Sequence, residues 1–181
     1  MIAKILWIIL LCTGLVCLGY YGFVKAQAHF KQKALEEELY KPLKPNVPAA
    51  GPARGRNLKE GELFGRLEIP RLKLSVMVME GDQENVLRLG AGHVPGTSLA
   101  IAAHRDSFFR PLKDIKLNDV IRFTNPEGSS EYHVVSTKIV GPKDTWVLDH
   151  KSEQTLTLIT CYPFYYIGHA PKRFIVEAMK K

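Results

Sequence analysis

Cys161 closes the strand-like run "TLTLITC" (155–161) and is followed at once by Tyr162, Pro163 and Phe164. A thiol at the end of a rigid strand can act as a nucleophile, provided that a cation steadies the charge it creates and a base handles the protons. Side chains alternate faces along a strand, so Leu156, Leu158 and Thr160 point one way and Thr157, Ile159 and Cys161 the other. In "KRFIVEA" (172–178) the apolar face is Phe174, Val176 and Ala178, which leaves Arg173, Ile175 and Glu177 opposite. If the two runs pair as a hairpin across "YPFYYIGHAP", the leucines share the core with Phe174 and Val176. Cys161 and Arg173 then meet at the mouth of the loop, both facing away from that core. A cation beside a thiolate favours the anion and steadies an oxyanion.

The base must come from six histidines. His104 follows the buried run "SLAIAA" directly, the kind of platform that holds a catalytic group, and it is the first choice. His93, in "AGHVPGT", is second. His133 lies inside the strand "EYHVVS", His150 in the turn "LDHKSE", and His29 in the juxtamembrane segment, all three read as structural or surface residues. His169 is near Cys161 in sequence, in a loop beside Gly168, where it can line a site without doing chemistry.

These residues need a domain to hold them. From residue 62 the chain breaks into short β runs separated by turn signals, the texture of an all-β barrel or sandwich. "LFGRLEIP" and "LKLSVMVME" are interrupted by Pro70; "QENVLRLG" (83–90) is a helical turn ended by Gly90; "SFFRPLKDI" is another turn. A hairpin is expected around Pro126-Glu127-Gly128, and "TLTLIT" with "RFIVEAM" form the closing pair.

Ahead of the domain, residues 5–24 carry no charge and are flanked by Lys4 and Lys25, the length a helix needs to cross a bilayer. Ala26-Gln27-Ala28 would suit a signal peptidase, but the apolar run is longer than a signal core, which favours an uncleaved anchor. The expected order is a short cytoplasmic tail (1–4), a transmembrane anchor (5–24), a juxtamembrane helix and proline-rich spacer (25–61), and an extracytoplasmic domain (62–181). Of the net charge of +7, +5 falls in residues 1–60, so the folded part carries no basic face and nucleic acid is not an expected partner. Cys12 and Cys17 sit in the apolar run as small hydrophobes. Neither a disulfide framework nor a Cys/His zinc spacing can be drawn.

"TLITC" followed by "YPF", "HRDSFFRPL" with His104 57 residues upstream of Cys161, and "APKRFIV" with Arg173 12 residues downstream together resemble a sortase, most closely the class D branch. The resemblance runs from about residue 62 to 179. It implies an eight-stranded β-barrel with short helical turns and a cysteine transpeptidase that needs no metal or organic cofactor. By that resemblance Cys161 is the nucleophile, His104 the acid–base, Arg173 the residue that holds substrate and oxyanion, and Thr160 a residue that shapes the oxyanion site. Its partners would be secreted proteins bearing an LPxTG- or LPxTA-like sorting signal, and an amine such as a peptidoglycan cross-bridge or a pilin lysine. The sequence departs from class D in the loop between "HVPGT" and "AH", which is short, and in Ala103 and Ser107, where glycine and threonine are usual. Two other readings stay open on residues alone: a cysteine hydrolase that resolves the same acyl-enzyme with water, and a non-catalytic, membrane-tethered peptide-binding β-domain.

Overall fold

A computed structural model of the chain describes residues 2–40, 58–148, 154–166 and 168–181. Eight strands form one closed barrel: β1 (Leu63–Ile69), β2 (Leu74–Glu80), β3 (Ala91–His93), β4 (Ala100–Ala102), β5 (Val120–Asn125), β6 (Gly128–Val140), β7 (Thr155–Tyr162) and β8 (Lys172–Lys180). They are joined in the order β1-β2-β3-β4-β7-β8-β6-β5. Two contacts, β2–β3 and β4–β7, are parallel and the others antiparallel. The all-β, eight-stranded expectation holds.

Pro70 ends β1 as expected, because it has no N–H to give a ladder. A 3₁₀ turn (Pro70–Leu72) follows, and Lys73 closes it in the left-handed region, donating its N–H to the Pro70 carbonyl. The β5–β6 hairpin turns at Asn125, whose side-chain oxygen accepts the N–H groups of Glu127 and Gly128. The barrel interior is filled by one residue in two along the strands. Leu67, Val78, Ile101, Ile121, Leu156, Leu158, Val176 and Ala178 are all fully buried in one cluster. Each large aliphatic side chain so buried contributes about 2 kcal/mol.

Outside the barrel, helix α1 (Ile2–Tyr40) is continuous through the uncharged span, and it is long and apolar enough to cross a membrane. Its C-terminal turns lie on the barrel, where Leu35 is buried among Leu63, Met77, Met79 and Val86. Residues 41–57, which hold the prolines of the expected spacer, and His150 lie outside the described residues. Helix α2 (Glu84–Leu87) is the expected turn before Gly90.

Candidate active site

The β7–β8 ladder sets the first pair. Leu158 faces Val176, Thr160 faces Phe174, and Cys161 faces Arg173. Leu156, Leu158 and Thr160 point into the barrel and are buried, while Cys161 is a partly exposed free thiol. The outward face of β8 is less open than its alternation suggested. Ile175 is 1% exposed, and Glu177, 9% exposed, accepts from Ser136 Oγ at 2.6 Å and Lys138 Nζ at 2.9 Å. Ile159 and Ile175, partners across the ladder, both line the groove in which Cys161 lies. The Arg173 guanidinium donates to the carbonyls of Ala170 (3.3 Å) and Lys172 (3.1 Å), and forms no ion pair among the described residues. Among the described residues no carboxylate neutralises its positive charge.

His104 arrives on the other side of the groove. β4 runs parallel to β7, and two further bonds continue that pairing past its end. The Ala103 N–H donates to the Ile159 carbonyl (3.2 Å), and Thr160 Oγ1 donates to the Ala103 carbonyl (2.7 Å). Thr160 thus ties the residue before Cys161 to the residue before His104. Beyond His104 the chain turns on its carbonyl, which accepts the N–H of fully buried Phe109 at 3.0 Å. His104 Nε2 lies 3.5 Å from Glu84 Oε2, at the start of α2.

His104, Thr160, Cys161 and Arg173 line a single groove of about 370 Å³, walled also by Leu87 of α2 and Val147 of the 3₁₀ turn Thr145–Leu148. Four described histidines stay out of it. His93 is buried, stacked on Phe64 with ring centroids 4.0 Å apart, and its Nδ1 is 2.8 Å from Glu80 Oε2. His133 sits on β6 beside Glu131, His169 is exposed on the β7–β8 loop, and His29 is on α1. Among the described residues no group of three His, Cys, Asp or Glu side chains comes together to hold a metal ion.

Two residues of this site were not singled out from sequence. Glu84 meets His104 only through the fold, twenty positions away. Arg105 follows His104 in "HRD" but turns away from the groove. It is 9% exposed and donates to the carbonyls of Tyr166 (2.6 Å) and Gly168 (3.1 Å), clamping the loop that follows Cys161. An arginine beside a catalytic-type histidine was the available signal.

A two-pronged charge clamp lies outside the groove. Arg71 donates from both Nε and Nη2 to the carboxylate of buried Asp119. That bond, with the Lys116 N–H at 2.8 Å, holds the Asp119 carboxyl below its ordinary range.

A family profile described as Sortase domain matches residues 67–181. The chain is 30% identical to Sortase D of Bacillus subtilis (strain 168), over 96% of each chain. Among solved structures, a Clostridium perfringens Sortase D5 transpeptidase superposes with a TM-score of 0.69 at 21% identity, covering 86% of this chain and 99% of that one. Sortase C of Clostridium perfringens, solved with the C-terminal cell wall sorting motif, gives 0.64 at 23% identity, with 87% of each chain covered.

Proposed function

The chain belongs to the sortase family of cysteine transpeptidases, and on that premise we propose that it cleaves a C-terminal LPxTG- or LPxTA-like sorting signal and passes the acyl group to an amine on the cell surface. α1 anchors it as a single-pass protein of the cell membrane, with the barrel outside. The convergence of Cys161, Arg173 and His104 on one groove is the observation that supports this reading most.

The Cys161 thiolate attacks the scissile carbonyl carbon. The carbonyl electrons move to oxygen, and the Arg173 cation offsets the charge formed there. As the tetrahedral adduct collapses to a thioester, the C–N bond breaks and the His104 imidazolium gives its proton to the departing amine. The second half runs in reverse. An incoming amine attacks the thioester carbon and loses its proton to His104, and the Cys161 thiolate leaves. The acyl-enzyme divides one amide exchange into two easier displacements. Ile159 and Ile175 give the groove an apolar floor suited to the aliphatic side chain of such a signal. The sortase C structure with a sorting motif supports the same substrate class.

The test uses the full chain in detergent micelles with a sorting-type peptide, with and without a peptidoglycan-like or lysine amine, and products followed by mass spectrometry. Amine-dependent ligation that disappears in Cys161→Ala is expected. Cleavage that survives in that variant defeats the mechanism, and release of free acid at a rate indifferent to amine makes the chain a hydrolase instead.

A further inference from the structure

Helix α1 runs without a break from its uncharged span to Tyr40, and its end is fastened to the barrel by more than apolar packing. β2 pairs with β3 only from Val78 to Glu80, so the N–H of Met77 lies one residue short of that ladder. Gln32 fills the gap. Its Oε1 accepts the Met77 N–H at 2.6 Å and its Nε2 donates to the Leu89 carbonyl at 2.7 Å, so one side-chain amide stands in for a missing strand pair. Gly90 makes room for it: a Cβ at that position would sit 2.5 Å from Gln32 Nε2 and 2.7 Å from the Met77 carbonyl oxygen. One turn further along, Glu36 pairs with Arg66 of β1 at 2.7 Å, and Leu35, 2% exposed, shares a buried cluster with Val86 of α2.

What Gln32 and Leu35 hold is segment 82–90, and that segment is a wall of the groove. Asp82 and Leu87 line the groove, and Glu84 reaches His104 at 3.5 Å. α2 has only four residues and no side-chain cap, so it has little rigidity of its own. We propose that Gln32 and Leu35 of the anchor helix are positioning residues for the transfer reaction, acting through segment 82–90 to set the wall against which the peptide lies. Gln32 is eight residues past the uncharged span, about 12 Å along the helix axis, so the same contact fixes the groove's height above the bilayer. The anchor is thereby part of the catalytic unit. What the groove does rests on the transfer reading above; the contact itself does not.

The full chain in lipid nanodiscs tests this with Gln32→Ala, Leu35→Ala, and exposed Glu37→Ala as the control. Amide hydrogen exchange across 82–90 should quicken about tenfold in the first two variants, as two hydrogen bonds or a buried contact are lost, and stay unchanged in the control. KM for a sorting-type peptide should rise about three- to tenfold with kcat held within about twofold, the signature of a displaced binding wall. Gln32→Glu, which keeps an acceptor for the Met77 N–H, should fall between wild type and Gln32→Ala. Unchanged exchange overturns the proposal, and so does faster exchange with an unchanged KM. A wild-type chain that cleaves no such peptide counts against the transfer reading alone, because the exchange comparison still decides whether α1 braces segment 82–90.

Discussion

Cys161 and Arg173 stand on neighbouring strands whose ladder runs unbroken from Thr155–Met179 to Tyr162–Lys172, with β6 paired along the far edge of β8. His104 lies two residues past the end of a strand of only three residues, where the chain enters turns. Beyond the short β4–β7 ladder and the Ala103–Ile159 main-chain bond, its wall is held by single side chains: Thr160 on Ala103, Arg105 on the β7–β8 loop, Glu84 near the imidazole, Gln32 beneath segment 82–90. One side of the groove is therefore fixed by main-chain bonds that a change of side chain short of proline leaves in place. The other depends on contacts that one substitution can remove. Cys161 and Arg173, the proposed nucleophile and oxyanion cation, share the rigid side, while His104, the proposed acid–base, is on the adjustable side.

The largest effect that tests this division is at His104, the proposed proton-transfer residue. His104→Ala should lower kcat/KM by about 10²–10⁴-fold, the range for loss of a positioned acid–base. His93→Ala and His169→Ala should leave kcat/KM within about tenfold after correction for the folded fraction, since neither lines the groove. A loss at His93 as large as at His104 would move the base to the Glu80–His93 pair and collapse the two-wall picture.

The same division explains what could be read from the sequence. Alternation along β7 and β8 placed Leu156, Leu158 and Val176 in the core and Cys161 opposite Arg173, because a ladder with one buried face admits one register. His104 was legible as the residue that ends an apolar run. The burial of Ile175 and Glu177 was not, since alternation does not report what covers the outer face. Nor were the braces of the His104 wall. Gln32 and Leu89 are 57 positions apart, Arg105 and Tyr166 are 61, and no local periodicity couples such pairs. The docking face of the juxtamembrane helix was not legible for the same reason: it consists of buried Leu35 and partly buried Leu39 with Gln32 and Glu36 between polar neighbours.

On the rigid wall, Arg173→Ala should cost about 10²–10³-fold in kcat, as expected when a single oxyanion-stabilising group is removed. Tm should change little, because among the described residues the guanidinium bonds two carbonyls close to it in sequence and no other side chain. Arg173→Lys keeps the charge but loses the planar fork, and should recover part of the rate. A large Tm loss in Arg173→Ala would make the residue a structural brace.

Thr160 spans the two walls, so its removal should affect both stability and rate. Thr160→Val keeps the shape and deletes the donor, leaving the Ala103 carbonyl without that bond. About 1–2 kcal/mol of stability should go with it. As His104 shifts relative to Cys161, kcat should drop by roughly tenfold with KM little changed. Equal kcat in the variant and wild type would show that the backbone bond from Ala103 to Ile159 aligns the walls unaided.

The Arg71–Asp119 clamp is the control for side-chain bracing, because it is built like the His104 wall but neither residue lines the groove. Asp119→Asn should cost about 1–3 kcal/mol at pH 7, as a buried charged acceptor loses its partners' strength, with kcat/KM unaltered. The pH dependence follows from the direction of the shift. Arg71, and after it the Lys116 N–H, hold the Asp119 carboxyl below 3.8, so the folded state binds its proton less readily than the unfolded chain does. The stabilisation is complete well above 3.8 and is lost as the pH falls through the lowered folded-state value. The Tm gap between wild type and Asp119→Asn should accordingly be widest near neutrality and narrow as the pH drops toward 3. A gap that stays constant from pH 7 to about 3 would assign the stabilisation to packing and not to the carboxylate. A fall in kcat/KM at neutral pH would mean that side-chain clamps reach the groove from anywhere in the barrel, and that the His104 wall is not special in being braced this way.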